Sequence, residues 1–246
     1  MNSIPKRLRE EPLIEAIWQV QFESPNAGDV LPGLLYAKLK KQYSGLQLNR
    51  LPKAEIPAAV VQFDPNLRFA AKVRFDTMDA PFLWQVGDRV ATLNCRKPYV
   101  GWERSKVAIL DLIQTVEDNA LVQQPLRHSL RYIDLLTLDT PPELSSLQLS
   151  MRVGAHAIQK LPLQARIELP DGEYLHVIQI ATPAQVQLPE GIKEGSVVGL
   201  ETLMTRPLTS WEDARDQLEG LHDRSKPLFF EHLITPDAIQ ALDPEY

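Results

Sequence analysis

Between Glu15 and Phe22 the chain alternates: Trp18, Val20 and Phe22 fall on one side, Ile17, Gln19 and Gln21 on the other. That period of two predicts a strand with one buried face. Ser24-Pro-Asn-Ala-Gly28 reads as a turn, and Asp29 is placed to cap a helix running to about Tyr43. Leu31, Leu35 and Leu39 form its apolar stripe. Strand patterns follow at Ala58–Asp64 and Arg68–Asp76, joined by Pro65-Asn66, and at Pro81–Cys95, which folds back at Gly87-Asp88. A helix is then predicted from Trp102 to about Leu121. Ile109, Leu110, Ile113, Val116 and Leu121 lie at helical spacing, and Glu103, Lys106, Asp111 and Glu117 face out.

After Pro125 a similar order starts again. Arg127–Leu138 predicts a strand with Leu130, Tyr132 and Leu136 on one face and Arg131 and Ile133 on the other. Glu143 to about Ile158 fits a helix, yet Leu147, Leu149, Met151 and Val153 alternate as a strand would. Gln164–Leu169 and Tyr174–Ala181 form a hairpin around Pro170-Asp-Gly172, and Ser196–Arg206 is a further strand. Ser210-Trp-Glu-Asp213 resembles a capping box with Asp in place of Glu. The last helix carries Trp211, Ala214, Leu218, Leu221, Phe229 and Leu233, and Pro227 must kink or restart it because it lacks a backbone donor.

This order predicts an α+β fold made of two similar β-α-β-β-β-α units, each an antiparallel sheet with helices on one face. Residues 1–124 form the first unit, 125–234 the second, and 235–246 an acidic C-terminal tail. The seam between two such units is a natural place for a ligand or partner.

Composition narrows the class. The chain has 246 residues, enough for one large or two small domains, and 44% of them are apolar, as in ordinary globular proteins. No stretch approaches the length of a membrane span, and the first dozen residues lack the apolar core of a secretory signal. Cys95 is the single cysteine, which excludes an internal disulfide. Together these features predict a cytoplasmic protein without membrane contact. The net charge of −6 argues against nucleic acid, with Lys38, Lys40 and Lys41 as the one modest basic cluster that such a ligand would use. Charge is also uneven. Residues 1–53 hold eight Lys/Arg against five Asp/Glu, and residues 212–246 hold three against nine. That polarity is suited to self-association, as in a homodimer, or to a protein partner.

No phosphate-binding glycine loop, nucleophile elbow or paired-histidine metal motif occurs, and the five histidines show no ligand spacing. No catalytic residue, metal ligand or cofactor is therefore assigned. The candidates for ligand or partner binding are Glu15, Tyr99, Trp102, Arg131, Tyr132, Asp134 and His222. Arg131 interrupts an apolar strand, so a carboxylate partner is expected for it, either Glu15 or Asp134. Gly101, between Tyr99 and Trp102, is expected to adopt a backbone angle closed to other residues.

Four short motifs carry a resemblance: Pro12-Leu-x-Glu15-Ala16, Pro98-Tyr99-x-Gly101-Trp102, Leu130-Arg131-Tyr132-Ile133, and Leu221-His222 with Phe229. They resemble a sporadically distributed family of uncharacterised bacterial proteins, in which Asn is usual where this chain has Asp134. The resemblance implies no activity. Its patchy distribution is similar to that of mobile defence or toxin-immunity components, and so favours a non-catalytic, partner-binding role. The alternative is a small-molecule-binding protein or enzyme that uses Glu15, Arg131, Asp134 and His222 in one pocket.

Overall fold

The computed structural model describes residues 4–24, 27–56, 64, 67–78, 80–119, 121–122, 124–139, 141 and 143–246. In chain order the elements are β1 (Arg7–Leu8), β2 (Leu13–Glu23), α1 (Ala27–Gln42), β3 (Gln47–Arg50), β4 (Ala71–Asp76), β5 (Phe82–Gly87) and β6 (Val90–Arg96). Then come α2 (Trp102–Asp118), β7 (Gln124–Leu136), β8 (Arg152–Val153), β9 (His156–Ala157), β10 (Leu163–Asp171), β11 (Tyr174–Leu188) and β12 (Gly191–Met204). The chain ends with α3 (Trp211–Pro227), a π-helical turn (Leu228–Leu233), α4 (Pro236–Ala241) and β13 (Pro244–Glu245). It is an α+β protein with extensive antiparallel sheet and few helices.

Two compact units are present, and both are discontinuous in sequence. One comprises Glu15–Leu130 and Leu203–Gly220; the other comprises Met1–Ile14, Arg131–Thr202 and Leu221–Tyr246. The cuts fall inside β2, β7, β12 and α3 rather than in linkers.

In the unit that holds Glu15, strands lie in the order β2-β6-β5-β4-β3. The alternation read in β2 is realised residue by residue: Ala16, Trp18, Val20 and Phe22 are buried, and the intervening side chains are half-exposed. Burying a side chain the size of Val20 or Phe22 contributes roughly 1.5–3 kcal/mol. β5 and β6 form the expected hairpin, with Val86 opposite Ala91 and Phe82 opposite Cys95. Leu31, Leu35 and Leu39 are the buried stripe of α1, which packs on β5, as α2 does on β6. The N-terminal turn of α1 differs from expectation. The Ser24 hydroxyl, not Asp29, accepts from the N–H of Ala27 (3.1 Å), because the helix begins at Ala27, three residues before a cap at Asp29 would start it. The strand predicted at Ala58–Asp64 and its Pro65-Asn66 turn lie outside the described residues, apart from Asp64.

The other unit orders its strands β10-β11-β12-β7. One face is apolar: Ile178, Ile180, Val198, Leu200 and Leu136 pack with Phe229, Leu233, Ile234 and Ile239. The hairpin at Pro170-Asp-Gly172 forms as expected, with Asp171 opposite Tyr174 and Gly172 at φ 59° in the two-residue turn.

Residues 143–158 are neither the helix nor the long strand that their sequence allows. They form turns and the two-residue pair β8–β9. Two serines spend their hydroxyls on Asp139, Ser145 at 2.8 Å and Ser146 at 2.9 Å, which competes with helical bonding. Tertiary partners then take the backbone: Leu144 N–H donates to Gln159, and Gln148 N–H donates to Leu233 (both 2.9 Å). Among the described residues, the stretch between β7 and β10 therefore has no helix to match α1, and the duplicated unit is not confirmed.

Pro227 ends α3 and passes into the π-helical turn, whose last N–H finds Phe229 through Ile234 (3.0 Å). The acidic tail closes on the chain's own basic start. β13 pairs with β1, Arg7 bonds Glu245 at 2.6 Å, and Arg9 reaches Asp243 at 3.3 Å. The uneven charge read from the sequence is thus at least partly satisfied within one molecule. Among the described residues, no helix is long and apolar enough to cross a membrane.

Candidate functional site

β7 presents alternate residues to opposite faces, and this separates residues that lie close in sequence. Asp134 shares a parity with Leu130 and Leu136 and is buried, 5% exposed. Arg131 has the opposite parity. The two cannot form the expected ion pair, since residues three apart on a strand face opposite ways. Glu15, the other expected partner, accepts instead from the Asn94 amide (2.8 Å), and Asn94 Oδ1 in turn accepts from Thr92 (2.7 Å).

Arg131 is held by an amide. Its guanidinium donates to Gln179 Oε1, and no carboxylate lies within ion-pair distance among the described residues. Its Nε is buried without a hydrogen-bond partner. The side chain lies across Gly199 of β12, where an added Cβ would sit 3.2 Å from the Arg131 terminal nitrogen and 3.4 Å from Nε. Gly199 therefore opens the sheet surface for the guanidinium.

Around it is an open concavity of about 430 Å³, lined by Arg131, Gln164, Arg166, Gln179, Val197 and Gly199 among others. The β10–β11 register makes this possible by setting Arg166 opposite Gln179 and Gln164 opposite Ala181. Arg166 also pairs with Glu168 along β10. The site thus offers two guanidinium groups and two amides on one sheet face.

The remaining predicted residues lie elsewhere. Tyr132 and His222 do meet, with the phenol oxygen 2.9 Å from His222 Nδ1. Trp102 donates to Glu219 (2.9 Å), which also binds Lys106, and Gly101 before it stands at φ 89° as expected. Tyr99 follows the cis Lys97–Pro98 bond and is half-buried. Of the seven candidates, Arg131 is the one among the residues lining this concavity. Gln164, Arg166, Gln179 and Gly199 were not singled out in the sequence. The turn at Gly172 was the available signal, because counting outward from it pairs residue 166 with residue 179.

Burial is the largest influence on Asp134, His128 and His176. It pushes the Asp134 carboxyl up to about 8, with the Glu11 carboxylate adding to the effect, so Asp134 is protonated at neutral pH. It lowers His128 to about 4 against an opposing hydrogen bond to Gln217. Neutral His128 accepts from Trp18 Nε1 at 3.4 Å and lies 3.2 Å from Gln217 Oε1. His176, also lowered chiefly by burial, stands in a chain with Thr202 (2.8 Å), Ser225 (2.8 Å from Thr202) and Asp171 (3.5 Å). This has the residue types of a hydrolytic relay, but Ser225 and Thr202 are 1% and 0% exposed, so neither hydroxyl meets a substrate. Cys95 is likewise buried. In the basic cluster, Lys38 is bound to Asp111 (2.6 Å), and Lys40 lies 5.4 Å from the centre of the Tyr36 ring.

No family model matches the chain, and no curated protein matches it at a significant level.

Proposed function

We propose that this chain is a binding protein whose recognition surface is the Arg131 concavity, and that its occupant presents a carboxylate or phosphate group. One observation carries the reading: a partly buried guanidinium, held in place by Gln179, lines a concavity without a counter-charge within ion-pair distance among the described residues. A cation removed from water costs free energy until an anion meets it, and the planar fork of arginine suits a two-oxygen acceptor. The volume lies in the range that small ligands occupy.

The same anionic group carried on a protein side chain or C-terminus gives the partner-binding reading, including the immunity-type role that the resemblance implies. Charge polarity along the chain lends that reading less support, since the two oppositely charged ends bind each other. The small-molecule occupant is therefore preferred.

Nuclear magnetic resonance titration of the full chain with inorganic phosphate and with glutarate tests the proposal. The Arg131 Nε–H, Gln179 side-chain and Gly199 backbone signals should shift together and saturate, and the saturable shifts should vanish in Arg131→Gln. Shifts scattered over the surface, or unchanged in Arg131→Gln, would overturn it. Mass analysis of protein purified natively then separates the two occupants: a retained small acid supports the preferred reading, and a stoichiometric protein replaces it.

A further inference from the structure

β10 is the outermost strand of its ladder; its one neighbour among the described strands is β11. Gln164, Arg166, Glu168, Leu169 and Pro170 along it are exposed. Which backbone groups point off the edge follows from the turn. Gly172-Glu173 is a two-residue loop closing on Asp171 and Tyr174, a hydrogen-bonded pair in such hairpins. Alternation then directs the N–H and C=O of residues 163, 165, 167, 169 and 171 to β11, and leaves those of Gln164, Arg166, Glu168 and Pro170 unpaired by it. Pro170 fits this assignment, since its missing N–H falls where β11 needs none.

From this edge we infer that the chain forms a two-fold homodimer by antiparallel pairing of β10 with β10 of a second copy. A two-fold axis at Ile167 sets Arg166 opposite the partner's Glu168, and Glu168 opposite the partner's Arg166. Both members of that pair have outward backbone groups, so it is a hydrogen-bonded pair, and Gln164 falls opposite the partner's Pro170 in the same phase. Each Arg166–Glu168 pair exchanges two backbone bonds, and each Gln164 N–H meets a Pro170 carbonyl, giving about six bonds in all. The side chains agree with the backbone. On one face the register sets guanidinium against carboxylate twice; on the other it sets Ala165 against Leu169 and Ile167 against itself. Leu169 is 41% exposed in the single chain and gains an apolar neighbour.

Charged residues on an edge strand ordinarily discourage such pairing. Here their order is self-complementary about the axis, so the same charges select one register and one kind of partner. Registers centred on Arg166 or Glu168 set like charges opposite one another, those centred between residues put outward groups opposite inward ones, and those centred on Ala165 or Leu169 forfeit both Arg–Glu pairs. The inference stands independently of the anion-binding reading. Because Arg166 also lines the concavity, the dimer axis lies beside that site in each copy.

Sedimentation velocity over a concentration series, with amide hydrogen exchange on the same samples, tests the dimer in the full chain. The expected result is a monomer–dimer equilibrium in which the Arg166 and Glu168 amides exchange more slowly as concentration rises. Arg166→Glu places like charges at both symmetric pairs and should raise the dissociation constant about 10- to 30-fold. The double variant Arg166→Glu with Glu168→Arg should restore association. A chain monomeric at every concentration, exchange at residues 164–168 independent of concentration, or a dimer indifferent to Arg166→Glu would each overturn it. Should that variant fail to fold, the exchange measurement on the unaltered chain decides.

Discussion

Replacing Asp134 with asparagine isolates the consequence of burying a carboxyl group on the apolar face of β7. The ordinary carboxyl value is 3.8, and burial with the nearby Glu11 charge raises it to about 8 in the folded chain. The sign is the reverse of the usual acid. Between these values the folded state keeps the Asp134 proton and the unfolded state has lost it, so stability falls as pH rises and levels off above about 8. At pH 7 the gap from 3.8 is 3.2 pH units; at 1.36 kcal/mol per unit, protonation costs the folded state about 4 kcal/mol, an upper figure for what a neutral isostere recovers. The asparagine side chain has nearly the same shape and no titration. Its amide carries two donors where the protonated carboxyl carries one, which lowers the gain by about 1–3 kcal/mol if the extra donor goes unpaired. The pH dependence is therefore more diagnostic than the absolute value. Urea unfolding of both chains from pH 5 to pH 8, followed by circular dichroism, should show the stability difference moving in favour of Asp134→Asn by up to about 1.4 kcal/mol per pH unit. A difference that stays constant over this range would refute the raised carboxyl and the reasoning built on burial.

Two further outcomes follow from the second unit. Gly199→Ala brings a methyl group within 3.2 Å of the Arg131 guanidinium, while alanine suits a strand better than glycine. Glutarate affinity should fall about fivefold, the equivalent of roughly 1 kcal/mol, with no drop in melting temperature; a loss of both would mean that Arg131 is only a structural contact. Thr202→Val removes the hydroxyl that joins His176 to Ser225 inside the unit; Ser225 keeps the Leu221 carbonyl (2.7 Å), and the buried His176 Nδ1 loses its Thr202 contact. Thermal unfolding should show a loss of about 1–3 kcal/mol, and a variant as stable as the parent would show that the relay contributes nothing to stability.

What was legible in the sequence was whatever depends on near neighbours. The alternation of Trp18, Val20 and Phe22, the stripe of Leu31, Leu35 and Leu39, the turn at Gly172 and the positive φ of Gly101 all appear where local pattern placed them. The Ser210 cap also holds, its hydroxyl accepting from Asp213 N–H at 3.0 Å. Each is set by side-chain periodicity or a backbone angle within a few residues, and little outside the segment can reverse it.

Tertiary structure decided the rest. Residues 143–158 carried two competing patterns, and the choice fell to backbone partners at Gln159 and Leu233 that no local window contains. The compact units are cut inside β2, β7, β12 and α3, so no composition break marks them. Arg131 looked like a buried cation in need of a carboxylate, but its environment comes from Gln179 and Gly199, about 50 and 70 residues away, brought beside it by strand order. Sequence determined which residues face the same way on one strand; only the pairing of strands determined what they face, because a ladder joins distant segments through backbone groups that every residue shares.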